Sequence, residues 1–347
     1  MTTRHGKAAI LGGGIGGLTT ANALVRRGWH VDVFERAHTL PGTGTALGMW
    51  PDAIDALTVA GRGCGLGGRV EKLGARQEDA TLLRRDGKVI GCLGDRARGV
   101  VLLSRPALLG ILADGLPSGV LQFGSPAPDL PDLAAYDVVV AADGINSAVR
   151  DRLFGPSHRP VYTGCSAWRG WVDGTVASMS ETWGPGALFG ITPRDGGLTN
   201  WFAAVRGPAG GTGSIDELRA RYRDWHPAVR DVLDRIDPET VLYHDLYESP
   251  PLPAFVKGNV ALIGDAAHAM SPNLGRGACE AMVDGATLAD LLARHPVHEA
   301  LQRYDQTRRR RTRRLVRASH ALSRIATASR FTGLRDALVG AATRLGG

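Results

Sequence analysis

No run of eighteen consecutive apolar residues occurs in this chain, so no membrane-spanning helix is expected. Met1 to Lys7 lack the apolar stretch of a secretory leader and run straight into a candidate strand. Cysteine is scarce. Cys64, Cys92, Cys165 and Cys279 fall at no Cys-x-x-Cys spacing, which argues against a thiolate metal site and for unpaired thiols in a reducing cytoplasm. There is no internal repeat, no low-complexity linker, no Ser/His/Asp arrangement for a nucleophile and no metal-ligand cluster. The charge is unbalanced, at +7 with a pI near 9.6, and much of the excess lies in Arg308–Arg311 with Arg313 and Arg314. That run has no interleaved aromatics to stack on bases, so nucleic acid is not an expected partner. It falls in a predicted carboxyl-terminal helix with Leu301, Tyr304, Leu315, Ala318 and Leu322 as the packed face, and its arginines are expected to be solvated.

What remains is an ordinary globular composition, 44% hydrophobic and 22% charged, in 347 residues. That length suits two domains or one discontinuous pair. Ala8 to Leu11 is a short apolar strand running into Gly12-Gly13-Gly14-Ile15-Gly16-Gly17, which satisfies G-x-G-x-x-G at Gly12, Gly14 and Gly17. Leu18 to Arg27 reads as a helix, Gly28 ends it, and Val31 to Phe34 is a second strand closed by Glu35 and Arg36. In such a unit the first glycine allows the turn, the second lets the backbone approach a pyrophosphate, and the third lets helix and strand pack. Ile15 lies within this glycine loop, ahead of the helix, and is counted with the candidate cofactor contacts. Glu35 stands where a carboxylate meets a ribose hydroxyl, which favours FAD or NAD over NADP.

A second strand–loop–helix unit lies far downstream. Val260 to Ile263 is apolar, Gly264-Asp265 follows, and Pro272-Asn273-Leu274-Gly275-Arg276-Gly277-Ala278 leads into a long helix through Leu292. Asp265 can accept from ribityl or sugar hydroxyls, and the helix start presents free N–H groups to an anion. Between the two, Val138 to Ala141 runs into Asp143-Gly144 and a helix that contains Arg150. Leu103-Ser104-Arg105-Pro106 opens another helix, with Ser104 a plausible N-cap.

These segments, in this order, resemble the para-hydroxybenzoate hydroxylase-like FAD monooxygenases. The resemblance runs from Lys7 to about Arg313 and also takes in Gly42 to Ala53, similar to the loop over the ribityl chain and including Thr45. It departs at Ala46, Asp52 and Arg276, where relatives often carry Gly, Asn and Gln. The fold it implies is α/β: an FAD-binding Rossmann-like domain of the glutathione reductase type, a second, mainly antiparallel β-sheet substrate domain, and carboxyl-terminal helices. The expected division is 1–75, 98–155 and 257–300 for the flavin domain, 76–97 and 156–256 for the substrate domain, and 301–347 for the helical end.

The second domain is read from strand-like runs at Ser166–Val172, Ala187–Ile191 and Thr199–Val205, and from a hairpin around Asp86-Gly87. A helix from Ser214 to Trp225 has Ser214 and Glu217 at capping-box spacing. Trp168, Trp171, Trp183 and Trp201 either wall a flat substrate pocket or form sheet core.

The resemblance implies an external monooxygenase. NADH or NADPH reduces FAD, and a C4a-hydroperoxyflavin delivers one oxygen atom from O2 to an aromatic or polyketide-like substrate, by hydroxylation or epoxidation. One nucleotide fingerprint means that the nicotinamide binds transiently in a cleft. The expected flavin contacts are Gly12, Gly14, Ile15, Gly17, Glu35, Arg36, Thr45, Arg105, Asp143, Gly144, Asp265, Gly275, Arg276, Gly277 and Ala278. Pro272 belongs to the flavin loop, and Arg169 in Trp168-Arg169-Gly170 positions substrate. Arg276 stands either near the flavin pyrimidine edge or on the surface, and His268 is expected to pack the loop. Asn273 stands where urate hydroxylases of the family carry an acid, which disfavours urate. A reductase or desaturase of prenyl chains and a non-catalytic flavin protein remain as other readings.

Overall fold

The computed structural model describes residues 6–345 apart from Glu78, Leu93 and 95–98. The expected seam at 97/98 lies outside the described residues.

A six-stranded sheet runs in the order Val256–Lys257, Val260–Leu262, Val138–Ala141, Lys7–Leu11, His30–Glu35, Leu121–Phe123. All of its pairings are parallel except the first. The central strands have no polar face. Ala8–Leu11 and Val138–Ala141 are buried throughout, as a sheet covered on both sides demands. Helices Ile15–Val25 and Gly277–Arg294 pack side by side and parallel, with Gly16 against Ala281 and Gly285 against Thr20. A Cβ added to Gly285 would lie 2.4 Å from Thr20 Oγ1, so the two axes approach as closely as they do only because that side chain is missing.

A seven-stranded sheet has the order Leu242–Glu248, Val161–Asp173, Leu198–Arg206, Ala187–Arg194, Met179–Gly184, Ala80–Arg84, Val89–Cys92. It is antiparallel except where Met179–Gly184 meets Ala80–Arg84. The Asp86-Gly87 hairpin thus adds two strands to this sheet. One face is covered by helices Ile215–Tyr222 and Pro227–Arg235, over Trp168, Phe189 and Trp201. Three of the four tryptophans are core: Trp168 and Trp201 on that face, and Trp183 on the other, beneath Ala326. Trp171 alone is part-exposed, with the Arg194 guanidinium 4.6 Å above its ring. The expected capping box is half formed. Ser214 accepts from the Asp216 N–H at 3.2 Å, and the helix stops at Tyr222 rather than Trp225.

A small sheet of Ala46–Met49, Val101–Ser104 and Ala75–Arg76 joins the two large ones. Asn200 Oδ1 accepts from the Ala46 N–H at 2.8 Å, and the Asp195 carboxylate accepts from Ser104 N–H and Oγ. Ser104 occupies the N-cap position of helix Arg105–Asp114, but its hydroxyl is drawn across to Asp195 and makes no cap bond.

The long helix Val297–Ala326 corrects two expectations. The seam at 300/301 falls inside it. Its buried stripe is Leu301, Tyr304, Arg308, Thr312, Ser319 and Ser323, while Ala318 is exposed and Leu315 only part-buried. Nor is the basic run uniformly solvated. Arg308 is 2% exposed and is held by Asp284 at 2.6 Å and by Glu280. Arg309 pairs with Asp305 and Arg311 with Asp52, whereas Arg310 faces solvent. The arginines alternate between interior and water because a helix turns 100° per residue, and a run of four identical residues conceals the change.

Removing one member of a buried charge cluster leaves the others uncompensated. Arg308→Gln should therefore cost about 3–5 kcal/mol of stability in denaturant titration, while Arg310→Gln leaves the midpoint unchanged. Equal midpoints for the two variants would contradict the buried assignment.

Candidate functional site

Four loops meet at the carboxyl ends of four neighbouring parallel strands: Gly12–Gly17 after Lys7–Leu11, Glu35 after His30, Asp143-Gly144 after Val138–Ala141, and Gly264-Asp265 after Val260–Leu262. Open α/β sheets place ligands in this crevice. Gly12 has φ +113, and a Cβ there would lie 2.4 Å from Ala142 O, so the Gly12–Gly17 and Asp143-Gly144 loops touch through backbone alone. Gly17 is equally constrained, its Cβ direction blocked at 2.0 Å by Gly12 O. Gly14, by contrast, faces open space, as do Gly144 and Gly277. Glu35 accepts from Gly13 N–H at 2.7 Å and Ala37 N–H at 2.8 Å, which fixes its carboxylate beneath the glycine loop.

Both parallel helices start at this crevice, after Gly14 and Arg276, and neither has a side-chain N-cap. Two helix starts without caps put unpaired N–H groups and positive dipole ends on one spot. Asp143 Oδ2 accepts from Val149 N–H, but its Oδ1 is buried with no partner. Asp265 is exposed and makes no hydrogen bond among the described residues. Arg150, 1% exposed, ties the two acidic loops together by donating to Ile145 O and Ala266 O. An orphaned carboxylate oxygen, a free carboxylate, open glycine backbones and two helix starts fit a hydroxyl-rich, anionic dinucleotide.

The other expected contacts are distributed as follows. The Thr45 carbonyl accepts from Arg105 N–H at 3.0 Å, joining the loop after Gly42 to the Arg105 helix. Gly275, at φ +61, closes the Pro272–Leu274 turn by donating to Pro272 O, and Gly277 and Ala278 begin the helix. Ile15 is 6% exposed, so its side chain is core and only its N–H faces the crevice. Arg36 is exposed, and its side chain makes no hydrogen bond among the described residues. Arg276 is not a solvent-facing surface arginine. Its guanidinium bonds Asp52, at 3.1 Å from Nη1, and Glu280. Although burial opposes the charge, those carboxylates fix it and at the same time neutralise it toward any ligand.

Beneath the Gly264-Asp265 loop lies a cluster that no motif announced. Asp284 Oδ2 accepts from Gly264 N–H at 2.9 Å and meets His268 Nε2 at 2.6 Å, while Oδ1 meets Arg308. Burial alone would raise the Asp284 carboxyl, yet His268 and Arg308 hold it down at about 2. His268 is pulled upward by the same contact against the effect of its own burial. The signal was Glu280 and Asp284 one helical turn apart on a helix otherwise apolar toward the core. Arg169 stands apart on the second sheet, part-buried, with no hydrogen bond or ion pair among the described residues. Burial and the facing charge of Arg105 lower its pKa.

A family profile described as FAD binding domain matches residues 251–319, and one described as NAD(P)-binding Rossmann-like domain matches residues 10–46. The aurachin C monooxygenase/isomerase of Stigmatella aurantiaca is 32% identical across 91% of this chain and 88% of its own length. The 3-amino-4-hydroxybenzoate 2-monooxygenase of Streptomyces cremeus is 30% identical across 93% and 88%. The crystal structure of Klebsiella pneumoniae HpxO with FAD and uric acid superposes with a TM-score of 0.87 at 27% identity, covering 99% of this chain and 94% of that one. The chain belongs to the FAD-dependent monooxygenases of the para-hydroxybenzoate hydroxylase type. It is an oxidoreductase that takes FAD as cofactor and NAD(P)H as electron donor. No helix of the described residues is long and apolar enough to cross a membrane.

Asp265 and His268 separate binding from support. Asp265→Ala should lose most flavin per chain while the apoprotein melts normally; His268→Gln should lower the apoprotein midpoint. The sign of its pH dependence follows from the raised His268 pKa. The stability from its charged form is fully present below about 6.5 and is lost as pH rises through the folded value. The gap between wild type and His268→Gln should therefore narrow with rising pH in denaturant titrations of the apoprotein. A constant gap would remove the charged imidazole from the cluster.

Proposed function

We propose that the crevice holds FAD through the backbone of Gly12, Gly14, Ile15 and Gly17, the carboxylates of Glu35, Asp143 and Asp265, and the Gly275–Ala278 helix start, with Thr45, Arg105 and Gly144 along its flank. Arg36 lies at the adenosine end and Pro272 shapes the loop. Two features support this reading: the buried, unpartnered Asp143 Oδ1 and the pair of uncapped helix starts. Bound FAD supplies electron transfer from NAD(P)H and activation of O2 for insertion of one oxygen atom into substrate. With Arg276 paired to Asp52 and Glu280, the N–H groups of Gly277 and Ala278 share with Arg105 the task of stabilising negative charge on the ligand. Donors already oriented toward developing charge do this without reorganisation.

The observation that carries the substrate assignment is Arg169. It is a part-buried cation with no acid beside it, on the strand paired to the one whose Asn200 grips Ala46 N–H. A cation left unpaired in a confined place is costly without an anion to receive. We assign it to an acidic oxygen of a small, electron-rich aromatic substrate, which it orients for hydroxylation or epoxidation. The flavin domain is taken as 1–75, 98–155 and 257–296, and the substrate domain as 76–97 and 156–256, with the chain from Val297 onward bracing both. The four free cysteines support a cytoplasmic setting.

With a panel of hydroxylated aromatics, some member should accelerate NAD(P)H oxidation and gain one atom of oxygen from labelled O2. Arg169→Ala should keep its FAD yet raise KM or divert reducing equivalents to peroxide. Product formed without O2, or label entering only from water, would turn the reading toward a reductase.

A further inference from the structure

Glu181 belongs to no flavin motif, yet it shares a row with Arg169. Across the second sheet Glu181 pairs with Gly190, Gly190 with Phe202, and Phe202 with Arg169. Directly opposed residues point to one face, and three strand spacings set the two charged residues about 14 Å apart. The Phe202 ring lies over Gly190, where an added Cβ would fall 2.0 Å from its Cζ, so the absence of a side chain at 190 makes room for the ring.

Glu181, Phe202 and Arg169 each retain accessible surface, while the row on one side of them is sealed throughout and the row on the other is sealed at its centre. Toward one end, Ala167, Ala204, Leu188 and Trp183 are 8% exposed or less and lie against Leu322 and Ala326. Toward the other, Asn200 and Thr192 are buried between the part-exposed Trp171 and Met179, and Asn200 reaches Ala46 beside the flavin loop. An open row with a sealed row on one side and buried Asn200 and Thr192 on the other suits the floor of a binding site. Glu181 Oε1 accepts from Trp183 Nε1, whereas Oε2 makes no hydrogen bond among the described residues. The cations on packed elements are engaged elsewhere, Arg335 and Arg84 with Asp336 at 2.8 and 3.7 Å. Burial pushes the Glu181 carboxyl up, against the pull of the Trp183 bond.

We propose that this row is a two-ended substrate site, in which Arg169 takes an acidic oxygen, Phe202 bears the ring, and Glu181 bonds an O–H or N–H at the far end. The span selects planar fused-ring aromatics that are acidic at one end and carry a hydrogen-bond donor at the other. A single ring is too short to reach both ends. The inference rests on the monooxygenase reading and on the role given there to Arg169.

The test uses the FAD-loaded enzyme and three probes, 2-naphthoate, 6-hydroxy-2-naphthoate and 6-methoxy-2-naphthoate, with affinities read from the flavin absorbance change. In wild type the hydroxyl compound should bind at least about ten-fold tighter than its methyl ether, the scale of one hydrogen bond to a carboxylate. Glu181→Ala should shrink that preference to within about two-fold, with Glu181→Gln between, because only the donor at the far end is read. FAD content and 2-naphthoate affinity should not change in either variant, whereas Arg169→Ala should abolish 2-naphthoate binding. A hydroxyl preference that survives Glu181→Ala, or a wild type with none, overturns the role of Glu181 alone. Naphthoates that leave the flavin spectrum unchanged, or that bind equally well after Arg169→Ala, remove the carboxylate end and the substrate assignment beneath it.

Discussion

One buried carboxylate, Asp284, holds the flavin side of this molecule in register. It is fully buried, and it receives three groups from three places: the N–H of Gly264 at the end of a sheet strand, the imidazole of His268 after the loop, and the guanidinium of Arg308 from the long helix. An unpaired charge in that position would be far too costly, so strand, loop and helix must all arrive together. Gly264 stands at φ +56 with its Cβ direction blocked at 2.9 Å by Ala281, so only glycine fits where the N–H turns to Asp284. Asp265, the next residue, is thereby presented outward without a bond of its own. The free acid of the crevice is aimed by the buried acid behind it.

The fold was largely legible in the sequence because its main signals are local. Gly12 and Gly17 mark places where backbone must approach backbone, and the valines of 138–140 mark a strand buried on both faces. The Asp86-Gly87 turn announced a hairpin by the same local logic. What was not legible depends on direction rather than residue type. Arg308 is one of four consecutive arginines, and only its place in the spacing 301, 304, 308 and 312 shows that it turns inward. Ser104 has the chemistry of an N-cap, but a carboxylate 91 positions away competes for its hydroxyl. Glu181 sits in a strand with no motif around it, and its neighbours are fixed by register across four strands.

The two halves of the candidate site treat charge in opposite ways. Around the Gly264–Gly277 side of the flavin crevice three arginines are answered by carboxylates: Arg276 by Asp52 and Glu280, Arg308 by Asp284 and Glu280, Arg311 by Asp52. The net electrostatic influence there passes to helix starts, which are weak, directional and fixed. On the sheet face, Arg169 and Glu181 are left without opposite charges in contact, where fields are strongly felt because water is largely excluded. A neutralised scaffold beside an uncompensated floor lets the cofactor be held independently of whatever lies on the floor.

The close parallel contact of Gly16 with Ala281 and Gly285 with Thr20 has a consequence for biosynthesis. The two helices come from opposite ends of the chain. A ribosome releases the amino-terminal strands long before Val260–Leu262 can pair with Val139–Ala141, so the nascent sheet waits with an open hydrogen-bonding edge. Half of the crevice and the carboxylate that aims Asp265 do not yet exist at that stage. Flavin capture therefore belongs to the completed polypeptide, and it closes a fold whose first and last thirds have had to find each other across the whole intervening sequence.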